Sequence, residues 1–401
     1  MRIWCAIAMA ATVAWAACAQ PASCNAAAAE PLAHIALPAH PFGVAVSQDG
    51  CRVFVALMAA QGKDSGIAVL ERAQGRVKLA RVVPLHVRPA GIVLTHDGKL
   101  LIAAAQDSVL VLDTRRLAAG DGEPVLGTFH DGPMAGSIYV NVAADDKLLF
   151  VSDEGAAAIT VIDLERARAK GFDAGAVVGK VPVGRGPIAL TFSPDGRWLY
   201  TTSELAPSEW DWPKACKPEG QAQSKAGAVR PEGAVIVVDV AKARTDPAHA
   251  AVARAPAGCS PVRLAISPAG DRIYVTARNS NAVLAFDTAR LSGDAAHARV
   301  GMAPVGTAPV PVAVVDGGKK VIVGNSDRFA GQAAPQTLTV LDAAKISSGA
   351  AAVLGSVPAG AFPREMSVSP DGRTLFLTNF GSNSLQVMDV ARLPVKQPAA
   401  K

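Results

Sequence analysis

The sequence predicts an all-β protein, a seven-bladed β-propeller of four-stranded antiparallel blades, and three observations lead to this fold. One segment recurs seven times, aligned on Ser47, Thr95, Ala143, Ser193, Ser267, Val315 and Ser369. Successive copies are separated by 48, 48, 50, 74, 48 and 54 residues, and a period of this size is typical of repeat architectures. Each copy contains short apolar and β-branched runs, and Pro or Gly residues bound those runs as they bound strands.

The first two strands of each copy flank a tight turn. In the clearest copy, residues 193–196 read SPDG, the order of a type I turn, since Pro sets the backbone at the second position. Residues 188–192 form an apolar run before it and residues 198–202 a β-branched and aromatic run after it. Both runs are too short for helices and are therefore predicted to be strands.

The third strand, residues 235–238 in this copy, ends at an aspartate in six copies. These are Asp113, Asp163, Asp239, Asp287, Asp342 and Asp389. Because they belong to separate units, we expect turn capping by the carboxylates and not a metal cluster.

The fourth strand ends with Pro, as in residues 177–184. The equivalents are Pro84, Pro256, Pro304 and Pro358. A Pro has no N–H for a ladder, so it marks the outer edge of each sheet. Four such strands repeated seven times fit a propeller.

The two ends of the repeat array predict how the ring closes. A run of fourth-strand type with Pro38 precedes the first copy, whereas the seventh copy, ending at Leu393, has no fourth strand. We therefore expect residues 32–37 to complete the last blade. The predicted organisation is a signal peptide over 1–19, an N-terminal segment over 20–31, the propeller over 32–393 and a tail over 394–401.

The last copy carries a family resemblance. Residues 362–393, FPREMSVSPDGRTLFLTNFGSNSLQVMDVARL, resemble the YVTN-type repeat of YncE-like periplasmic seven-bladed propellers, and residues 274–276 and 377–379 approximate its tetrapeptide. The resemblance covers nearly the whole mature chain and implies a periplasmic propeller. Its family includes binding proteins without known chemistry, and its wider superfamily holds lactonases and a haem-bearing nitrite reductase domain. No copy carries the Gly-His and Trp-Asp pairs of a WD-type propeller.

The first residues predict export to the periplasm or the medium. Arg2 precedes an apolar stretch over residues 3–17, and small residues around Cys18 form a cleavage site. Lipidation of Cys18 is an alternative, although Trp15 stands where a lipoprotein box carries Leu, Ile or Val. No transmembrane segment is expected in the mature chain.

Four cysteines remain after the leader, and an even set in an exported chain predicts disulfides. Cys51 in a first-to-second turn and Cys24 before the closing strand fall on one face of the propeller. Cys216 in a second-to-third loop and Cys259 in a blade-to-blade connection fall on the other, the Cys216 face. The expected pairs are Cys24 with Cys51 and Cys216 with Cys259. The absence of CxxC and CxxCH gives no support for c-type haem.

Charge and motifs narrow the function classes. A net charge of +5 comes from dispersed Lys and Arg, so nucleic-acid binding is only weakly indicated. No HxH, HxxxH, GxSxG or HExxH motif occurs, no cofactor is predicted and a monomer is expected.

We expect function on the Cys216 face, where loop length varies. Trp210 and Trp212, in an insertion over residues 203–233, either bind a partner or form the insertion's own core. Polar candidates at the channel mouth and in the loops are His40, His86, Arg88, Arg185, Glu154, Glu204, Arg278, Asn279, Asn325, Asp327, Arg328 and Asn379. Innermost-strand residues that are polar where other copies are small or apolar are Tyr139, Asn141, Thr191, Arg263, Glu365 and Ser367.

The favoured function is a binding or scaffold protein without an evident catalytic constellation, taking a protein or small molecule on the Cys216 face. The predicted binding residues are His40, Arg88, Arg185, Trp210, Trp212, Arg278, Asn325 and Arg328. The enzyme alternative is a lactonase-type hydrolase, with Glu154, Glu204 and Arg263 as the candidate catalytic residues. A haem- or nucleic-acid-binding propeller is a second alternative.

Overall fold

Seven four-stranded antiparallel sheets make up the protein, and the all-β prediction is confirmed. The computed structural model describes residues 24–59, 65–172, 174–212, 214–217, 229–329, 336–393 and 395–396. The innermost strands of successive blades contact one another around a ring that returns from blade seven to blade one. The predicted signal peptide, Cys18 and most of the predicted tail lie outside the described residues.

The strands of each blade are given from the axis outwards. Blade one consists of His40–Val46, Arg52–Met58, Gly66–Ala73 and Arg76–Pro84. Blade two consists of Ile92–Leu94, Leu100–Ala105, Ser108–Asp113 and Val125–Phe129. Blade three consists of Ser137–Val142, Leu148–Asp153, Ala158–Asp163 and Val177–Pro182. Blades four and five are Arg185–Phe192, Trp198–Leu205, Ala234–Asp239 and Ala251–Pro256; and Pro261–Ile266, Arg272–Ala277, Ala282–Asp287 and Arg299–Pro304. Blades six and seven are Pro309–Val315, Lys320–Asn325, Gln336–Asp342 and Val353–Ala359; and Pro363–Val368, Thr374–Asn379, Ser384–Asp389 and Leu32–Ala36. A small hairpin pairs Lys214–Cys216 with Arg230–Pro231.

Short helices follow the third strands of several blades. The α-helices are Thr114–Ala119, Leu164–Lys170, Val240–Thr245 and Thr288–Gly293. The 3₁₀ helices are Ala174–Ala176, Ser208–Trp210, Pro247–His249, Arg278–Ser280, Ala295–His297, Asp316–Gly318 and Ala343–Ala352. Five of the recurring aspartates cap the four α-helices and the 3₁₀ helix Ala343–Ala352. Asp113, for example, accepts a hydrogen bond from the N–H of Arg116 at 2.9 Å. The capping interpretation is confirmed, because a carboxylate satisfies an otherwise free N–H in the first helical turn.

The predicted turn over residues 193–196 is also confirmed. The N–H of Gly196 donates to the carbonyl of Ser193 at 2.9 Å, and the Ser193 hydroxyl oxygen accepts from the N–H of Trp198 at 3.0 Å. Gly196 has φ +69°, in the left-handed region that favours glycine.

The N-terminal strand lies on the outside of blade seven. Leu32–Ala36 pairs antiparallel with Ser384–Asp389. The segment before it is fastened by Arg72, which is 2% exposed and donates to the carbonyl of Ala26 and, at 2.7 Å, to the hydroxyl of Thr374. That the ring depends on this strand for closure stays a prediction.

Apolar layers between neighbouring sheets form the core. The layer between blades four and five, for instance, contains Tyr200 and Phe286, and the layer between blades two and three contains Phe129. A smaller apolar group at the axis joins Ile188 and Val262 to a residue of blade six. This packing fixes the blades around the axis, so the innermost strands form a rigid wall.

Both predicted disulfides are confirmed. Cys24 is bonded to Cys51, and Cys216 is bonded to Cys259. The first bond joins the N-terminal segment to a turn of blade one, and the second joins the blade-four insertion to the connection into blade five. Each bond therefore stays on one face, as the strand order requires.

Among the described residues, no helix is long and apolar enough to cross a membrane.

Candidate functional site at the channel mouth

Two successive positions of the innermost strands surround the channel on the Cys216 face. At the first position the seven copies carry Phe42, Ala90, Ile138, Ile188, Val262, Val310 and Arg364. At the second they carry Gly43, Gly91, Tyr139, Ala189, Arg263, Pro311 and Glu365. The first position is apolar in every copy but one. The second position carries a large polar side chain in three copies. The copies therefore depart from the repeat at the axis itself.

Tyr139, Arg263 and Glu365 meet across the channel, and we call them the channel triad. The Nε of Arg263 donates to Oε2 of Glu365 at 3.1 Å. The Tyr139 hydroxyl donates to the same Oε2 and accepts from Nη2 of Arg263, whose guanidinium carbon lies 3.8 Å from the centre of the tyrosine ring. The triad ties blades three, five and seven together across the axis.

A cavity of about 160 Å³ lies along the axis beside the triad. Its lining comes from the innermost strands of blades one to five and from Glu365, and it includes Asn141 and Thr191, which lie deeper in the channel than the triad. The triad therefore lies between this cavity and the Cys216 face. We call the channel mouth on that face, above the triad, the cup.

Glu204 and Arg278 form the first part of the rim of this cup. Nη1 of Arg278 lies 2.8 Å from Oε1 of Glu204, and Nη2 donates to Oε2 at 3.1 Å. Arg278 is 6% exposed. A two-pronged contact of this kind fixes both side chains and joins blades four and five.

Glu154 lies on the same rim, and the neighbouring charges affect the pKa of its carboxyl. Burial raises the pKa of the Glu154 carboxyl, and the Glu204 carboxylate raises it further, whereas Arg364, Arg278 and Arg328 act in the opposite direction. Glu154 is exposed to solvent. Its carboxylate has no hydrogen bond or ion pair with the described residues, so it is available to a ligand.

Arg364 completes the rim and is the residue that sequence reasoning missed. Its guanidinium carbon lies 4.1 Å from the ring centre of Phe42 and 5.6 Å from that of Phe362. Burial first, and the charge of Arg263 second, lower the pKa of Arg364 to about 10. No described carboxylate forms an ion pair with it, and its Nε is buried without a hydrogen-bond partner among the described residues. An arginine at a position that is apolar in six sister copies was the available signal.

The remaining candidates lie apart from this cup or serve the fold. The ring of His40 stacks on that of Phe380 with centres 4.7 Å apart, and its Nδ1 lies 2.9 Å from the Phe380 carbonyl. Asn325 is 3% exposed and bonds to the N–H of Gly306 and to two threonines of blade six, so it stabilises that blade. Arg88 is half-buried in the connection into blade two.

The insertion of blade four forms a second surface. Trp210 and Trp212 contact each other with ring centres 5.1 Å apart and pack against the core between blades three and four. The Arg254 guanidinium lies 4.5 Å from the centre of the Trp210 ring. Trp212 and Arg185 also line a groove of about 640 Å³, which we call the insertion groove. The tryptophans thus form part of the insertion's own core, while Trp212 also faces a surface groove.

A buried acidic group lies at the end of the second strand of blade three, on the Cys216 face. Asp153 is 0% exposed, and its Oδ2 lies 2.5 Å from Nζ of Lys180 and accepts from the Thr160 hydroxyl at 2.5 Å. Burial raises the pKa of Asp153 to about 7, and the nearby Asp131 adds to the rise, whereas the bonds from Lys180 and Thr160 oppose it. In the part of the chain that the structure describes, no group of three or more His, Cys, Asp or Glu could hold a metal ion.

Comparison with known proteins supports the fold alone. No protein-family model and no curated protein sequence matches this chain. A solved structure of hydrazine synthase from Kuenenia stuttgartiensis is similar, with a TM-score of 0.63 and 20% identity over 88% of this chain and 96% of that one. A chain of a mitotic checkpoint complex gives a TM-score of 0.64 and 15% identity over 96% of this chain and 99% of that one. The similarity shows the seven-bladed propeller fold, and membership of the YVTN-type family stays a prediction.

Proposed function

We propose that this chain is an exported binding protein that holds a small-molecule ligand in the cup on the Cys216 face, without chemical turnover. The observation that carries the proposal is the pair of charges left on the rim, Glu154 and Arg364. Neither forms an ion pair with the described residues; Arg364 is half-buried, whereas Glu154 is exposed to solvent. A charge withdrawn from water without a partner costs free energy, so the half-buried guanidinium of Arg364 at the channel mouth favours ligand binding.

The composition of the cup argues for binding over catalysis. Glu204 is held by Arg278, and Glu365 by Arg263, so these two carboxylates are not free to act as bases. Burial raises the pKa of the Tyr139 hydroxyl, which disfavours a nucleophilic phenolate. The triad and rim contain no serine, cysteine or histidine, the side chains that most often pair as nucleophile and base.

Export is part of the same proposal. Disulfide bonds persist in oxidising compartments and are rare in the cytosol of most organisms. The two bonds of this protein therefore support a periplasmic or secreted location, together with the leader-like residues 1–19 of the sequence.

The test is to purify the protein from its own compartment, denature it and identify released small molecules by mass spectrometry. The double variant Glu154→Gln with Arg328→Gln alters the cup, and Trp212→Ala alters the insertion groove as a matched control. We expect a co-purifying compound to be lost only from the cup variant. Loss only from Trp212→Ala would move the site to the groove, and no co-purifying compound in any form would refute the proposal.

The lactonase-type hydrolase is a second candidate, favoured by the raised pKa of Glu154. A carboxyl whose pKa moves towards neutrality can act as a general acid or base, and the neighbouring arginines could polarise an ester carbonyl. A lactone panel assayed with added Ca²⁺, Mg²⁺, Mn²⁺ or Zn²⁺ tests it. Turnover abolished by Glu154→Gln or Glu204→Gln would replace the binding proposal with this one.

A further inference from the structure

We infer that the ligand of the cup carries a single carboxylate group and that Arg364 is its anchor. The inference rests on the proposed function and names its ligand class. Three features of the described residues support it: the position of Arg364 in the repeat, the donors it leaves free and the charge balance of the cup.

The repeat shows that the fold does not need an arginine at this position. Six sister copies place an apolar residue there, for example Val262 and Val310, which are 1% and 0% exposed. Replacing such a residue by arginine withdraws a guanidinium from water without giving it a carboxylate partner. Because that exchange costs free energy, a ligand is the physical reason that best accounts for it.

Arg364 and its neighbour Arg263 each keep a buried hydrogen-bond donor that has no partner among the described residues. The Arg364 guanidinium lies on the Phe42 ring, and aromatic contact of this kind restricts the group while leaving its N–H edges free. Nε of Arg364 and Nη1 of Arg263 are both buried and have no hydrogen-bond partner among the described residues. Arg263 is 4% exposed, so its free donor belongs to a built site and not to the solvated surface. The planar fork of a guanidinium matches the two oxygens of a carboxylate.

The charge balance favours a monoanion. Among the described residues of the cup, Arg263 is paired with Glu365 and Arg278 with Glu204, whereas the Arg364 guanidinium has a positive charge without an ion pair. A carboxylate neutralises that charge. A dianionic phosphate would add a second negative charge near Glu154, whose pKa the Glu204 carboxylate already raises.

The probes are acetate and inorganic phosphate at constant ionic strength and pH 8, where phosphate is mainly dianionic, followed through the arginine Nε–Hε signals by NMR. Arg364→Val copies the residue of blades five and six. Arg197→Gln is the matched control, since Arg197 also lies over an aromatic ring, Trp198, at 4.4 Å, but in an exposed turn on the opposite face. We expect acetate to shift a small set of signals saturably and to bind more tightly than phosphate. Its affinity should fall at least about tenfold in Arg364→Val and stay unchanged in Arg197→Gln.

Unchanged acetate affinity in Arg364→Val, or tighter binding of phosphate, would overturn the inference. Arg364→Lys, which keeps the charge but loses the fork, provides a second variant and should weaken acetate by a smaller factor. A neutral compound that co-purifies in the cup would leave the proposed function standing and refute this inference alone. Absence of both the compound and the acetate response would refute both.

Discussion

The channel triad gives the sharpest quantitative prediction, a strong coupling between Arg263 and Glu365. Their side chains are 5% and 17% exposed, and Nε of Arg263 lies 3.1 Å from Oε2 of Glu365. Removing one partner of a buried ion pair leaves the other charge uncompensated, and typically costs about 3 to 5 kcal/mol. We therefore expect Arg263→Ala and Glu365→Ala each to lower the free energy of unfolding by about 3 kcal/mol.

The double variant should cost about the same as either single variant. It removes both charges and returns these positions to the kind of residue that blade four carries, Ala189. The double variant still loses the packing of both side chains and their hydrogen bonds to Tyr139. A typical hydrogen bond contributes about 1 kcal/mol. The expected coupling energy is thus about 2 to 3 kcal/mol, at the upper end for residues in contact.

Urea denaturation of the four proteins measures this coupling, because urea does not screen charges as guanidinium salt does. The control cycle uses Arg272 and Asp287, an ion pair at 3.0 Å whose side chains are 35% and 22% exposed. More solvated pairs couple by about 1 kcal/mol or less. A triad coupling below about 0.5 kcal/mol, or one no larger than the control, would refute the view that the triad is a desolvated tie across the channel.

Three further predictions concern stability. Deletion through Leu37, which is 6% exposed, should expose the edge of blade seven and lower the melting temperature more than removing the Cys24–Cys51 bond alone; an unchanged melt would contradict the closing role. The raised pKa of Asp153 means that the native state binds more protons than the unfolded state between pH 3.8 and about 7, so the free energy of unfolding should fall as pH rises through this window. Asp153→Asn should flatten that slope in pH-dependent urea melts, and an unchanged slope would show that another group is responsible. Replacing Cys216 and Cys259 by Ser opens a loop of 43 residues, for which chain entropy gives at most about 4 kcal/mol. Limited proteolysis should detect cleavage in the blade-four insertion of this variant even where its melting temperature is unchanged. A lower melting temperature without such cleavage would contradict the view that the bond stabilises mainly the insertion.

Most residues of the site could be predicted from the sequence, but the contacts between them could not. Comparison of the repeats singled out Tyr139, Arg263 and Glu365 as departures, and the same comparison applied one position earlier would have found Arg364. Asn325 was expected at the mouth but lies inside blade six, because successive strand residues point to opposite faces and a residue at a strand end can turn either way. Strand-end polarity alone therefore does not place a side chain in the channel.

The sequence by itself determined the number of blades, their strand order, the capping aspartates and the pairing of the four cysteines. These features follow from local turn chemistry, from strand periodicity and from the faces on which loops of an antiparallel blade must lie. Only the tertiary structure decided which polar side chains meet. The contacts of the triad join residues separated by 102, 124 and 226 positions. Such distances are set by the packing of whole blades around the axis, to which every interblade layer contributes and which no short segment encodes.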